Sequence, residues 1–90
     1  MSAGEDRMRP RFTDLIVDRE RQFSLGVDSR TGSHYLSTTI TRDGHHHLAD
    51  YEAYYRIEPE EFARFRDDPA SAAEFVQTCR RNGHRDRLIG

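Results

Sequence analysis

The chain has 90 residues, of which 34% are hydrophobic and 33% charged, and a net charge of −2. That length supports one small domain with a real hydrophobic core. A charge balance so close to neutral argues against a general nucleic-acid or membrane-surface binder.

All fourteen basic residues are arginine, a usage that fits GC-rich coding as well as bidentate recognition of carboxylate or phosphate. The single cysteine, Cys79, excludes an internal disulfide framework and fits a reducing compartment. No apolar run approaches membrane-spanning length, and the N-terminal ten residues lack the apolar core of a signal peptide. The expected location is the cytoplasm.

Residues 1–11 are polar and aperiodic, with Gly4 and Pro10, and are expected to form a flexible arm ahead of a single α+β domain over 12–90. Phe12 to Asp18 contains Leu15, Ile16 and Val17, a short run that reads as a strand or a docked extended segment. Gln22 to Asp28 alternates, with Phe23, Leu25 and Val27 on one parity. His34 to Thr41 does the same with Leu36, Thr38 and Ile40.

Between these two, Asp28 can accept backbone bonds to open a turn and Gly32 can close it with a positive φ. If Asp28 pairs with Ser33, then Leu25 faces Leu36 and Phe23 faces Thr38, so the apolar parities coincide. Asp43-Gly44 is a two-residue hairpin signal. Pairing Arg42 with His45 there sets Ile40 opposite His47, Thr38 opposite Ala49 and Leu36 opposite Tyr51.

Leu48 to Ile57 carries the clearest pattern. Ala49, Tyr51, Ala53, Tyr55 and Ile57 share one face, while Asp50, Glu52, Tyr54 and Arg56 share the other. Period two then gives way to helix. Pro59-Glu60-Glu61 suits a helix start, because proline at the first position loses no bond and acids complement the positive end of the dipole. Phe62 and Phe65 lie on one face, and this helix ends near Asp67. Asp68 as N-cap and Pro69 at the first position open a second helix. Ala72, Phe75, Val76 and Cys79 form its apolar stripe, and Asn82-Gly83 its C-terminal stop. Leu88 and Ile89 are able to fold back. The fold class is therefore α+β: an antiparallel meander of three to four strands followed by two α-helices packed on one face.

Three groups of side chains invite chemistry. His45 and His47 share a strand face and offer two corners of a zinc or other transition-metal site, with Asp43 or Asp50 as the nearest third ligand. The competing reading is a polar hairpin tip. Tyr54, framed by Glu52 and Arg56 on the outward face, fits an exposed contact anchor for another protein. Ordinary cross-strand packing competes with it. Arg80, Arg81, His84, Arg85 and Arg87 are basic enough to meet phosphate, but no aromatic platform accompanies them.

Cys79 falls on the apolar stripe, where an inert thiol is expected. There is no Gly-rich phosphate loop, serine elbow or Cys-x-x-Cys pair, so no enzyme is expected.

The runs Gly-Val-Asp-Ser-Arg-Thr-Gly-Ser-His-Tyr-Leu-Ser, Asp-Tyr-Glu-Ala-Tyr-Tyr-Arg-Ile, Pro-Glu-Glu-Phe and Asp-Pro-Ala, with the final Cys-Arg-Arg and His-Arg-Asp-Arg-Leu-Ile, resemble a group of small bacterial proteins of unknown function. The resemblance covers roughly residues 18–89 and carries no activity or site residues with it. The three histidines at the second turn are where this chain is expected to differ from such relatives. Size and charge also resemble, at the level of class, the immunity proteins of bacterial toxin systems. The residues lead to a non-enzymatic interaction module, with another protein or a second copy as partner through Glu52, Tyr54 and Arg56. Metal binding through His45 and His47 is the alternative, and nucleic-acid binding ranks last.

Overall fold

The computed structural model describes residues 10–43 and 48–89, and of Arg42, Asp43, Leu48 and Ala49 the backbone alone. Most of residues 1–11, and both His45 and His47, therefore lie outside the described residues.

The turn around Asp28 shows how local chemistry sets the sheet. Its backbone carbonyl accepts from Thr31 and Gly32, its Oδ1 accepts from the Arg30 amide, and Gly32 takes φ 78°. These bonds join β2 (Phe23–Asp28) to β3 (His34–Asp43) with Leu25 opposite Leu36 and Phe23 opposite Thr38, the register expected from the alternation. On the far side of β2 runs β1 (Phe12–Asp18), and on the far side of β3 runs β4 (Leu48–Ile57). The sheet order is β1-β2-β3-β4, an antiparallel meander.

The second hairpin corrects the expected register. Asp43 pairs with Leu48, so four residues separate the strands, and Leu36 lies opposite Tyr55, Thr38 opposite Ala53 and Ile40 opposite Tyr51. The shift of four residues keeps every side chain on its expected face. It moves Tyr51 beyond the covered part of the sheet, where it is 42% exposed although its parity is that of the core. β1 also departs from simple alternation. A bulge between Asp14 and Ile16 leaves Leu15 unpaired and 56% exposed, and re-aims the strand so that Ile16 packs against the core.

Past Ile57, α1 (Pro59–Asp67) opens on Pro59, and the Glu58 amide donates to the Glu61 carboxylate at 2.8 Å. The expected second helix is in two parts, a 3-10 turn over Pro69–Ala72 and then α2 (Ala73–Arg80). Asp68 supplies no side-chain cap; its backbone carbonyl instead accepts from Ser71. Ala72, Phe75, Val76 and Cys79 are all buried, as their spacing requires. Asn82 (φ 69°) ends α2 in the left-handed region, and the Gly83 amide returns to the Thr78 carbonyl.

Both helices pack on the sheet face that carries Phe23, Leu25, Leu36, Ala53, Tyr55 and Ile57, and these residues form one core with Phe62, Phe65 and the α2 stripe. Among the described residues, no helix is long and apolar enough to cross a membrane.

Candidate interaction surface

The sheet face away from the helices is built from Phe12, Asp14 and, past the bulge, Val17 of β1, Ser24, Gly26 and Asp28 of β2, the odd residues of β3 and the even residues of β4. Half of this face is closed by aromatic packing. The Tyr35 side chain lies over Gly26, whose lack of a Cβ makes room for it: a Cβ there would overlap the Thr13 carbonyl oxygen and sit 2.5 Å from the Tyr35 hydroxyl. That hydroxyl donates to Asp14 at 2.5 Å, and Tyr35 is fully buried. Burial first, and the hydrogen bond to Asp14 second, push its pKa far above the ordinary tyrosine value.

Phe12 stands edge-on to Tyr35, with ring centroids 5.3 Å apart. It stacks face to face on Tyr54 at 3.9 Å and 10°. Tyr54 is thus half-buried rather than exposed, and part of its ring does cross-strand packing. Its pKa is raised by burial and then by the charges of Glu52 and Asp14.

At one corner Asp28 is buried, 1% exposed, and held by a two-pronged bond from Arg11, with Nε to Oδ1 and Nη2 to Oδ2 both at 3.1 Å. The Arg11 guanidinium keeps its carboxyl below the usual range against the opposing effect of burial. Ser29 adds two more ties, from its amide to the Arg11 carbonyl and from its hydroxyl to the Pro10 carbonyl. The last two residues of the expected arm are therefore part of the fold.

The other half of the face is open and acidic. Glu52 accepts from the Thr39 hydroxyl at 3.1 Å and Asp50 from the Thr41 hydroxyl at 2.8 Å. Among the described residues neither carboxylate has an ion-pair partner. Arg56, on the same face, pairs with Glu58 at 2.8 Å. Glu52, Tyr54 and Arg56 thus line one strand, but each is already engaged by a different neighbour.

The chain's end meets the edge of β4. Leu88 forms an antiparallel bridge with Tyr55, the Ile89 amide donates to the Tyr54 carbonyl at 2.9 Å, and Arg87 donates to the Arg56 carbonyl at 3.2 Å. Arg87 also holds Glu61 at 2.8 Å. Burial pushes the Glu61 carboxyl up, but the bonds from Arg87 and the Glu58 amide outweigh it and leave the pKa lowered.

Of the other C-terminal basic residues, Arg80 donates to Gln22 and Thr38, and His84 stacks on Phe75 at 4.1 Å. Three of the five side chains that invited phosphate are thus engaged within the fold. Cys79 is buried against Tyr55, and burial lifts its pKa to about 11. Among the described residues no group of three or more histidine, cysteine or acidic side chains could hold a metal ion.

The sequence reading missed the Arg11–Asp28 pair and the Tyr35–Asp14 bond. Both link residues far apart in the chain, and the one local signal was a glycine in mid-strand at Gly26.

The chain is therefore a small α+β protein, a four-stranded antiparallel meander with both helices on one face. Comparison with protein-family models, curated proteins and solved structures returns no match.

Proposed function

We propose that this chain is a non-enzymatic, cytoplasmic protein-interaction module that meets another protein, or a second copy of itself, through the β4 side of its open sheet face at Glu52, Tyr54 and Arg56. The observation that carries this reading is the asymmetry of the sheet. One face is packed under both helices, while the other is covered by no helix or strand among the described residues and ends at a strand edge. Open edges and half-covered faces in small sheets are protected in nature by association. A partly exposed tyrosine flanked by opposite charges is a suitable anchor for it.

The test is a double charge reversal, Glu52→Arg with Arg56→Glu. Neither residue contributes to the core, so the thermal melt should be almost unchanged. Sedimentation velocity and partner capture should both lose the complex that the wild type forms. A variant that associates as the wild type does would contradict the proposal. Tyr54→Ala is a poorer probe, because it also removes the ring stacked on Phe12.

A further inference from the structure

The outer edge of β4 is a half-filled track. In antiparallel pairing, every second residue turns its N–H and C=O away from a given neighbour. Tyr54 turns its carbonyl away from β3, because it accepts from Ile89. Glu52 and Asp50, two and four residues earlier, therefore also point their N–H and C=O outward from β3. Leu88 and Ile89 occupy the track at Tyr55 and Tyr54, and no described residue pairs with it at Glu52 and Asp50. Strand rise is about 3.3 Å per residue, so the open part, back to Leu48, takes about five residues of an extended chain.

The side chains along this stretch specify what fits. On one face stand Asp50 and Glu52, each with one oxygen held by a threonine hydroxyl and neither in an ion pair among the described residues. On the other stands Tyr51, 42% exposed, followed by buried Ala53. A second copy is a poor occupant. Antiparallel two-fold pairing of β4 with itself centred on Asp50, Tyr51 or Glu52 sets Asp50 against Asp50, Asp50 against Glu52, or Glu52 against Glu52. Like charges directly opposite are destabilising. Two other edges are open among the described residues and are less suited: β1 is broken by its bulge at Leu15, and the shoulder beside Thr39 and Thr41 mixes the acids with Arg19 and Arg80.

We propose that the edge of β4 from Leu48 to Glu52 receives an extended segment of a different protein, added as a strand, with lysine or arginine at alternate positions facing Asp50 and Glu52 and apolar residues facing Tyr51. Backbone bonds supply the affinity and the paired carboxylates the selection. This narrows the partner of the interaction module above and rests on that reading.

Two capped heptapeptides test it, one alternating arginine with valine and one alternating glutamate with valine, each added to the full-length labelled chain while amide exchange is followed by NMR. The arginine peptide should slow exchange of the Asp50 and Glu52 amides by on the order of tenfold, leave Leu36 unchanged, and lose its effect as salt is raised. Asp50→Arg with Glu52→Arg should transfer the protection to the glutamate peptide.

Equal protection by both peptides would overturn the charge selection. Protection confined to Thr39 and Thr41, or to Leu15, would overturn the choice of edge, as would a doubled mass with no peptide effect. If the peptides fail while the Glu52 and Arg56 reversal still abolishes partner capture, only this inference falls. If that reversal has no effect, the interaction reading falls with it.

Discussion

The Tyr35 side chain rests on Gly26, and its hydroxyl reaches across β2 to the Asp14 carboxylate. This single arrangement closes half of a sheet face that carries no helix, and it leaves the other half, at Asp50 and Glu52, as the open one. It also makes Gly26 irreplaceable. Alanine there would displace both the Tyr35 ring and the β1 backbone at Thr13. Gly26→Ala should destabilise the fold by about 3 kcal/mol, the upper range for overpacking. Tyr35→Phe, which loses only the bond to Asp14, should cost about 1 kcal/mol. Urea denaturation separates the two, and a Gly26→Ala protein as stable as wild type would contradict the packing described.

The Arg11–Asp28 pair gives the fold an acid limit. The pKa of Asp28 is lowered in the folded protein, chiefly by the bond from Arg11, against an unfolded value of about 3.9. Its contribution is therefore complete above the unfolded value and is lost as pH falls through the folded one. Arg11→Met should cost roughly 2–4 kcal/mol at neutral pH, since it strands a buried carboxylate. The gap between wild type and variant should shrink below about pH 5. Stability curves at several pH values check this, and a gap independent of pH would assign the loss to packing.

Cys79 should be chemically silent. Burial raises its thiol pKa to about 11, so the reactive thiolate is scarce at neutral pH and shielded as well. Reaction with an aromatic disulfide should proceed only at the rate of global unfolding and accelerate in denaturant. Fast labelling under native conditions would show that α2 lifts from the sheet.

The register of the second hairpin can be trapped. Thr39 lies opposite Glu52, so Thr39→Cys with Glu52→Cys should form a disulfide under mild oxidation, detected by mass as two thiols that escape alkylation in denaturant until a reductant is added. In the register expected from Asp43-Gly44, Thr39 would face Leu48 and the bridge would not form.

That hairpin also shows where the sequence is informative and where it is not. Around Asp28 the turn is fixed by short-range chemistry: a carboxylate that accepts from the Arg30 amide, a backbone carbonyl that accepts from Thr31 and Gly32, and a glycine able to take positive φ. The register follows from it correctly. At the second turn Asp43-Gly44 offered a plausible tight turn, and the apolar pattern could not correct it. A pattern of period two is blind to any slip by an even number of residues.

What decides between the registers is total pairing. A shift of four lets Ile57 reach His34, so that all ten residues of β3 find a partner in β4. The helices were legible because their stripes are local, Phe62 with Phe65 and Ala72 with Phe75, Val76 and Cys79. The 3-10 start of the second helix and the bulge at Leu15 were not, since tertiary packing sets both. Tyr54 was correctly placed on the outward face, but its half-burial depends on Phe12, more than forty residues earlier in the chain.

The most direct measurement is residue-resolved amide exchange of the isolated chain at low concentration. With a free β4 edge, the Asp50 and Glu52 amides exchange quickly, while Tyr51 and Ala53, whose amides face β3, and Ile89, bonded to Tyr54, exchange slowly. Slow exchange at Asp50 and Glu52 in the monomer would mean that the edge is already covered, and would contradict its assignment as a docking site.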